Sequence, residues 1–260
     1  MTDWPSYLRT YHARNPAITE RVLAASVHPR AGTPYDWLVE ALPDKPGVVL
    51  DLACGSAPVH DRLSGARAYV GVDLSPEELR EASRSGRGAL ARADAMRLPL
   101  ATGSVDAVVC SMAVMLMQPL EHALAEVGRV LRPGGVFAAI RPVGWPALPR
   151  DARLVLPLVR GLRGGPQMPQ RFVPGRFRRS LAAAGLPVAD DRALRFSHPL
   201  ETVDDAHMAV RALYLPDVPE ARKAEAARLL SRQAAPGRDL PVSIRRTVAR
   251  RSTLDVRSSP

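Results

Sequence analysis

The segment most informative about the fold is Val48-Val49-Leu50-Asp51-Leu52-Ala53-Cys54-Gly55-Ser56. It is a continuous apolar run that ends in an aspartate and is followed by small residues. A short run without polar alternation is typical of a strand buried on both faces of a parallel sheet. The segment Tyr69–Asp73 repeats the same shape, with an aspartate again at its end. We therefore expect two parallel strands with Asp51 and Asp73 at the same edge.

Alternating strands and helices extend from this pair along the chain. Ser75 and Pro76 form an N-cap and first position for a helix that runs to about Ser85. Further strands are predicted at residues 88–93, 105–110, 136–140, 188–196 and 241–248, and further helices at residues 120–131, 175–184, 203–213 and 220–233. The helix over residues 120–131 is expected to stop at Arg132-Pro133-Gly134-Gly135. Strands separated by helices of this length predict an α/β, Rossmann-like, mostly parallel seven-stranded sheet with helices on both faces.

The segments flanking these units predict the domain organisation. Asn15 and Pro16 suggest the start of a helix that includes Ile18, Val22 and Leu23, and a second short helix is expected over residues 33–42. Residues 142–174 are rich in proline and predict a mobile excursion with one helix near residues 152–159. We divide the chain into an N-terminal helical cap (1–46), a cofactor-binding α/β core (47–141), a substrate lid insertion with the C-terminal part of the same domain (142–251), and a flexible tail (252–260).

Composition excludes several classes of protein. The chain is 46% hydrophobic and 24% charged, which is typical of a globular protein and not of a disordered one. Two cysteines, Cys54 and Cys110, are too few for a disulfide scaffold or a four-cysteine zinc site, and we expect no metal. No apolar run reaches the ~18–20 residues of a membrane span, and no secretory signal is visible. These features predict a cytoplasmic protein without a membrane partner.

The positive charge of the chain is concentrated in one segment. Nine arginines and one acid lie between Arg141 and Arg179, and this segment supplies +8 of the formal net charge of +10. A local cluster favours one anionic partner over general binding of nucleic acid. We expect a mobile basic flap that attracts an anionic or carrier-bound small molecule. A solvated face and a nucleic-acid surface remain the alternatives.

Three carboxylates are predicted at successive strand ends. In an open α/β sheet, ligands bind beyond the carboxyl ends of the strands. Asp51, Asp73 and Asp94 all follow predicted strands. A carboxylate at the end of the second strand can accept hydrogen bonds from both hydroxyls of a ribose, and Asp94 is placed to accept from an adenine amine. Three carboxylates would repel a pyrophosphate, so the edge suits a neutral or cationic nucleoside.

Five motifs in this order resemble the class I S-adenosylmethionine-dependent methyltransferases, in particular the branch that acts on quinones, sterols and natural products. They are Val48–Ser56, Val70–Ser75, Ala93–Pro99, Ser104–Ser111 and Arg129–Phe137. The resemblance implies S-adenosylmethionine as cofactor and S-adenosylhomocysteine as product. It also implies these cofactor contacts: Asp51, Ala53 and Gly55 beside the methionyl part, Asp73 and Leu74 at the ribose, Asp94 and Ala95 at the adenine, and Ser111 after the fourth strand.

The chain departs from this family at two places. Ala57 stands where the family loop usually carries glycine, which costs about 1 kcal/mol if the position needs a positive φ. The apolar stretch Ser111–Met117 lacks the histidine that many relatives have there, so we expect it to line the substrate pocket and to supply no base.

Other residues are therefore the candidates for the reaction. Tyr11 and His12 are the catalytic candidates, because the relatives fold an N-terminal segment over the cofactor; catalysis by proximity alone is the alternative. Tyr7 to Asn15 is expected to be loosely held until cofactor binds. The substrate candidates are Met112, Met115, Arg141, His198 and His207.

The sequence thus predicts methyl transfer to a small, largely apolar acceptor through O, N or C, in secondary metabolism. An RNA methyltransferase that uses the basic segment 141–179 is the alternative; few aromatic residues are present there for base stacking. A nicotinamide-dependent reductase is a third reading, but Gly55-Ser56-Ala57-Pro58 lacks the G-x-G-x-x-G pattern.

Overall fold

The structure, a computed structural model, describes residues 2–143, 151–169 and 173–253. Within these ranges, seven strands form one sheet in the order β3-β2-β1-β4-β5-β7-β6. The strands are β1 (Val48–Leu52), β2 (Ala68–Asp73), β3 (Ala89–Arg92), β4 (Val105–Ser111), β5 (Leu131–Pro142), β6 (Val188–Pro199) and β7 (Asp239–Arg250). β1 pairs in parallel with both β2 and β4, and β2–β3 and β4–β5 are also parallel. The predicted Rossmann-like sheet is confirmed.

Nine α-helices lie in the same described ranges. They are α1 (Trp4–Arg14), α2 (Ile18–Ala24), α3 (Pro34–Val39), α4 (Pro76–Arg84), α5 (Leu120–Val130), α6 (Ala152–Leu162), α7 (Pro174–Ala183), α8 (Val203–Arg211) and α9 (Glu220–Ser231). The Ser75 cap of α4 is confirmed, since its side chain accepts a hydrogen bond from the Glu78 N–H. No helix in the described ranges is both long enough and apolar enough to cross a bilayer.

The chain divides into two compact units. Unit 1 comprises residues 1–35, 142–168 and 193–245, and unit 2 comprises residues 36–141, 169–192 and 246–260. These bounds differ from the predicted division, because the N-terminal helices cluster with most of the predicted lid and not as a separate cap. The start of β6 and the end of β7 belong to unit 2.

Unit 2 holds the larger core around β1 and β4. Leu50 and Leu52 of β1 pack with Val108 of β4 and with Leu124 and Val127 of α5. These residues are 0–1% exposed, so β1 and β4 are held in position by the core up to the loops that follow them. At about 25 cal/mol per Å² of apolar surface, such burial supplies the main stabilisation of the fold.

Unit 1 has a second core formed by α6, α8 and α9. Leu162 of α6 packs with Val210 of α8 and Leu230 of α9. Gly161 allows the close approach of α6 to α9: a Cβ atom there would lie 2.6 Å from the Cα of Ala226. The same unit holds an ion pair, in which the half-buried guanidinium of Arg195 donates to both oxygens of the buried Asp151 at 2.8 and 2.9 Å.

Two local predictions are wrong. The N-cap of α2 is Ala17 and not Asn15, because Ala17 adopts a left-handed conformation with φ = 56°. The segment Tyr7–Asn15 lies mostly in α1, whose first turn is capped by the side chain of Asp3, and its ordering by cofactor stays a prediction. The second concerns the end of α5. The stretch Arg132–Gly135, expected as a break, is part of β5.

The predicted basic flap coincides with two helices. α6 and α7 cover much of the described part of the segment from Arg141 to Arg179, and the helix expected near residues 152–159 is confirmed. Residues 144–150 and 170–172 of that segment lie outside the described residues. Arg176 and Arg178 are engaged in ion pairs with Glu121 (3.3 Å) and Asp191 (3.9 Å).

Candidate functional site

The carboxyl ends of β1 and β2 meet in one cluster around the loop after β1. The strands are paired so that Asp51 is opposite Gly71, which places Asp73 just beyond the end of β1. Asp73 accepts hydrogen bonds at both oxygens, from the Gly55 N–H (2.8 Å) and the Ser75 N–H (2.8 Å). This carboxylate therefore holds the loop after β1 and the start of α4 together.

Asp51 is the most deeply buried carboxylate of this cluster. It is 0% exposed, and its Oδ2 accepts a hydrogen bond from the Tyr69 hydroxyl at 2.9 Å. Within the described residues, its Oδ1 has no hydrogen-bond partner. Burial raises the pKa of Asp51 to about 7, the Tyr69 hydrogen bond lowers it, and the nearby Asp73 raises it. A buried carboxylate left with a free oxygen is costly, and a cation would offset that cost.

Ser111 has a similar property at the end of β4. Its side-chain oxygen is buried and has no hydrogen-bond partner within the described part of the chain. β4 is the neighbour of β1 in the sheet, so both unpartnered polar atoms belong to adjacent strand ends. Buried polar groups without partners are rare in folded proteins and need an explanation. A ligand that brings both positive charge and hydrogen-bonding groups would supply one.

Left-handed backbone conformations are also concentrated in these loops. Five non-glycine residues with positive φ occur in the described ranges, and three of them follow β1 or β4: Ala53 (φ = 54°), Ala57 (φ = 58°) and Met112 (φ = 57°). The expectation that Ala57 occupies a position suited to glycine is confirmed. Such conformations cost of order 1–3 kcal/mol each and cluster at binding sites.

The adenine candidates lie in the turn after β3. Asp94 is exposed, and its Oδ1 accepts a hydrogen bond from the Met96 N–H at 2.9 Å. Ala95 lies inside this turn and is half-buried. At the ribose position, the Leu74 side chain is 58% exposed, although it follows a buried strand. An exposed leucine beside Asp73 offers an apolar contact for a flat ring or a sugar face.

Most of the predicted pocket lining belongs to the core. Ala113, Val114 and Met117 pack in the core of unit 2, and Met115 is 2% exposed. These four residues are packed in the core, and their contact with a substrate stays a prediction. Only Ser111, Met112 and Leu116 of the stretch are half-buried. Arg141, on β5, is buried.

The catalytic candidates Tyr11 and His12 lie in unit 1, on α1. The Tyr11 hydroxyl donates to the Arg211 carbonyl oxygen at 2.9 Å, and His12 Nε2 lies 3.3 Å from the Tyr214 hydroxyl. Tyr7 completes this group, because its hydroxyl accepts a hydrogen bond from the Leu215 N–H at 2.8 Å. These contacts give each side chain a role in holding α1.

The two histidines predicted to contact substrate differ from each other. His198 is buried, and its Nδ1 lies 3.1 Å from the Val22 carbonyl oxygen and 3.3 Å from the Ser26 hydroxyl. Burial lowers the pKa of His198, which keeps it neutral. It is a packed core histidine in this structure. His207 is exposed on α8 and lines a shallow depression with Val203 and Arg211.

Sequence reasoning missed Tyr69 and Glu78. Tyr69 reads as an ordinary strand residue, yet it supplies the hydrogen bond to Asp51. Glu78, on the first turns of α4, is buried, and its Oε2 would lie 3.7 Å from a Cβ atom at Gly55. The helix start predicted at Ser75–Pro76 would place Glu78 near the loop after β1. Nothing in the sequence indicates that the Glu78 side chain is buried.

Known proteins resemble this chain in sequence and in fold. A family profile described as "Methyltransferase domain" matches residues 50–139. A demethylmenaquinone methyltransferase of Thermus thermophilus is 33% identical over 175 residues, which cover 57% of this chain and 78% of the relative. An uncharacterized chloroplastic methyltransferase of Arabidopsis thaliana is 36% identical over 104 residues, or 35% of this chain and 30% of the relative. The chain thus spans less than a third of the length of that plant protein.

A solved structure supports the same fold. The crystal structure of a candidate methyltransferase from Bacillus halodurans C-125 superposes with a TM-score of 0.59 at 17% identity, covering 85% of this chain and 99% of that one. The sheet order, the loop after β1 and the coverage of the Thermus relative lead to one conclusion. The chain belongs to the class I S-adenosylmethionine-dependent small-molecule methyltransferases.

Proposed function

We propose that this chain binds S-adenosylmethionine at the ends of β1, β2 and β4 and transfers its methyl group to a small, largely apolar acceptor. One observation carries the proposal: the buried Asp51 carboxylate has an oxygen without a partner, and Asp73 and Glu78 add negative charge to the same cluster. Among described residues, Asp51, Asp73 and Ser111 would hold the cofactor, with Ala53 and Gly55 at the methionyl part. Leu74, Asp94 and Ala95 would contact the nucleoside.

The cofactor supplies an activated methyl group on a sulfonium. The protein then has to bind both molecules, align the acceptor with the methyl group and exclude water. A base is needed only where the acceptor proton is hard to remove. Tyr11 and His12 are the candidates for that step, and transfer by proximity is the alternative.

Direct measurement of binding tests the cofactor assignment. Isothermal titration calorimetry with S-adenosylmethionine and S-adenosylhomocysteine should give micromolar dissociation constants. Asp73→Ala should weaken binding by roughly 1.5–3 kcal/mol, which is the contribution of hydrogen bonds to a charged group. Asp44→Ala, at an exposed carboxylate of the same unit, is the matched control and should leave affinity unchanged. Equal affinities for the parent and Asp73→Ala would refute the ribose assignment.

We propose a small ring system as the acceptor. The Thermus relative is named for a demethylmenaquinone, which is an apolar quinone. The half-buried Met112 and Leu116 are described residues of the right character to contact such a ring. A screen of quinones, phenols and natural-product rings with methyl-labelled cofactor tests this class and a role in secondary metabolism. RNA in the same screen tests the nucleic-acid alternative, which the comparisons do not support.

We further propose that exposed arginines of α6 attract an anionic or carrier-bound acceptor. Arg153, Arg160 and Arg163 are exposed, and no ion pair joins them to a carboxylate within the described residues. Arg153 and Arg160, seven residues apart, lie on one face of α6, and Arg163 follows at the C-cap of the helix. Changing all three to Glu should raise the KM of an anionic acceptor and remove its salt dependence. Arg176→Glu, at a side chain already paired with Glu121, is the control.

A further inference from the structure

Tyr69 has an unusual position beside the deepest carboxylate of the site. It lies on β2 opposite Val49, and Gly71, two residues further on, lies opposite Asp51. Because side chains two residues apart share a face of a strand, the tyrosine side chain extends over Gly71 towards Asp51. Its hydroxyl reaches Asp51 Oδ2 at 2.9 Å. The hydrogen bond therefore joins two neighbouring strands at the edge that carries the cofactor candidates.

Two glycines make room for this side chain. A Cβ atom on Gly71 would lie 3.0 Å from the Tyr69 hydroxyl and 3.0 Å from the Cys54 sulfur. A Cβ atom on Gly88 would lie 2.5 Å from the ring of Tyr69. The His60 ring packs edge-on against the tyrosine, with ring centres 5.0 Å apart. The phenol is thus held on several sides and can adopt few other positions.

The two oxygens of Asp51 have different surroundings. Oδ2 accepts from Tyr69, whereas Oδ1 has no partner in the described part of the chain. An ionised carboxylate with a single donor is poorly stabilised in a buried place, and loss of that donor would leave it with none. We propose that Tyr69 is a positioning residue for cofactor binding: its phenol anchors Asp51 in the ionised form that attracts the positive charge of S-adenosylmethionine. This role rests on the proposed function.

The charges around Asp51 support this role. Burial raises the pKa of Asp51 to about 7, while the hydrogen bond from Tyr69 lowers it. Among the neighbouring groups, Asp73 from β2 raises the pKa of Asp51 further, and the charge of Asp51 in turn raises the pKa of Cys54 in the loop and of Cys110 on β4. Burial raises the pKa of both thiols, so they stay neutral. Removing the phenol therefore shifts Asp51 towards its protonated form at neutral pH.

More distant charges act on the partners of Asp51. Glu78 of α4 acts on Cys54, and Arg87 acts on Tyr69. Arg87 is itself tied to Asp61 at 2.8 Å and to the Ser56 carbonyl oxygen at 2.8 Å. Its charge is therefore already shared with another carboxylate. Tyr69 is the described side chain that donates a hydrogen bond to Asp51.

The test is Tyr69→Phe, which keeps the ring and removes the hydroxyl. Cofactor affinity is measured by calorimetry from pH 6 to pH 9 for this variant, the parent and Tyr35→Phe, a buried tyrosine of unit 1. In the parent, affinity should rise with pH through neutrality and then level off. In Tyr69→Phe the midpoint should move up by about one pH unit, so that the affinity is about fivefold weaker at pH 7 and approaches the parent value at pH 9. Tyr35→Phe should follow the parent.

A second measurement needs no cofactor. The carboxyl carbon of Asp51 is titrated by NMR in the free protein, and its midpoint should be higher in Tyr69→Phe than in the parent. If the parent binds cofactor and Tyr69→Phe matches it, or is weaker by a constant factor at every pH, the positioning role is refuted and the proposed function stands. If the parent fails to bind cofactor, the proposed function is refuted. An unchanged NMR midpoint would refute, in either case, the statement that the Tyr69 hydroxyl stabilises the ionised form of Asp51.

Discussion

The strand ends of unit 2 and the aromatic group on α1 of unit 1 both contain candidate catalytic or binding residues, and they differ in how completely their polar atoms are paired. At the strand ends, Asp51 Oδ1 and Ser111 Oγ are buried without partners in the described residues. In the aromatic group, the hydroxyls of Tyr7, Tyr11 and Tyr214 all have hydrogen bonds. Buried polar atoms that already have hydrogen-bond partners stabilise the packing of helices. Buried polar atoms without partners can form hydrogen bonds with a ligand. We expect substitutions in unit 1 to change stability and substitutions at the strand ends to change binding.

The largest expected effect is at the Asp151–Arg195 ion pair of unit 1. Asp151→Ala removes the bidentate partner of the half-buried Arg195, which keeps Asp239 at 3.2 Å, and the loss of two hydrogen bonds to charged groups should cost about 3 kcal/mol. Denaturant unfolding should show this loss, while the folded fraction should bind cofactor with unchanged affinity. Glu225→Ala, at the exposed pair with Arg228, is the control and should leave stability unchanged. A changed cofactor affinity in Asp151→Ala would contradict the division of roles between the two regions.

The second effect is a pH dependence of stability caused by Asp51. Its folded pKa of about 7 lies above its unfolded value, so the folded state binds more protons between about pH 4 and pH 7. Stability due to this group is therefore lost as the pH rises through that window. From pH 5 to pH 8, the cofactor-free parent should lose about 2.6 kcal/mol more than Asp51→Asn. Denaturant unfolding at the two pH values measures the difference, and parallel losses would contradict it.

A smaller effect is expected for Tyr11→Phe. The Arg211 carbonyl oxygen loses a donor, which should cost about 1 kcal/mol of unfolding free energy. If the hydroxyl serves packing alone, kcat should stay within about twofold of the parent, since no transition-state contact is lost. A fall in kcat of about a hundredfold at this small stability cost would instead assign Tyr11 the catalytic role that the sequence predicts.

The smallest effect is expected for Ala57→Gly. Glycine relieves the left-handed strain of about 1 kcal/mol, but it removes a fully buried methyl group worth about 0.8 kcal/mol and gains freedom in the unfolded chain. The free energy of unfolding should change by less than about 1 kcal/mol. Ala57→Val adds branching at the same φ and should destabilise clearly. Equal stabilities for the Val and Gly variants would show that the loop rearranges around position 57.

The sequence predicted the parts of the fold that depend on local pattern. Val48–Leu50 and Ser75–Pro76 specify a buried strand and a capped helix by composition alone, and both are present. The start of α2 was mispredicted because Asn15-Pro16 is a good local cap, yet the chain turns through a left-handed Ala17 instead. Local preference was overridden there by packing, since Ile18 and Leu23 are buried.

The candidate site was predictable only in part for the same reason. The order of strand-end carboxylates follows from the strand pattern, so Asp51 and Asp73 were found. The contact of Tyr69 with Asp51 depends on strand register and on the space above Gly71. Neither of these can be predicted from the identity of residues 51 and 69. The burial of Met115 and His198 likewise depends on which helix covers them. A sequence pattern predicts which face of a helix or strand is buried. Which other element packs against that face is known only from the tertiary structure.

The absence of a side chain at Gly71 also links this position to its neighbours in evolution. A Cβ atom there would lie 3.0 Å from the Tyr69 hydroxyl, 3.0 Å from the Cys54 sulfur and 2.9 Å from Leu90 Cδ2, so all three neighbours would have to move or become smaller. Related chains with a larger residue at position 71 should therefore carry changes at positions 54, 69 and 90 as well. Where position 69 is no longer tyrosine, the buried aspartate should have another hydrogen-bond donor.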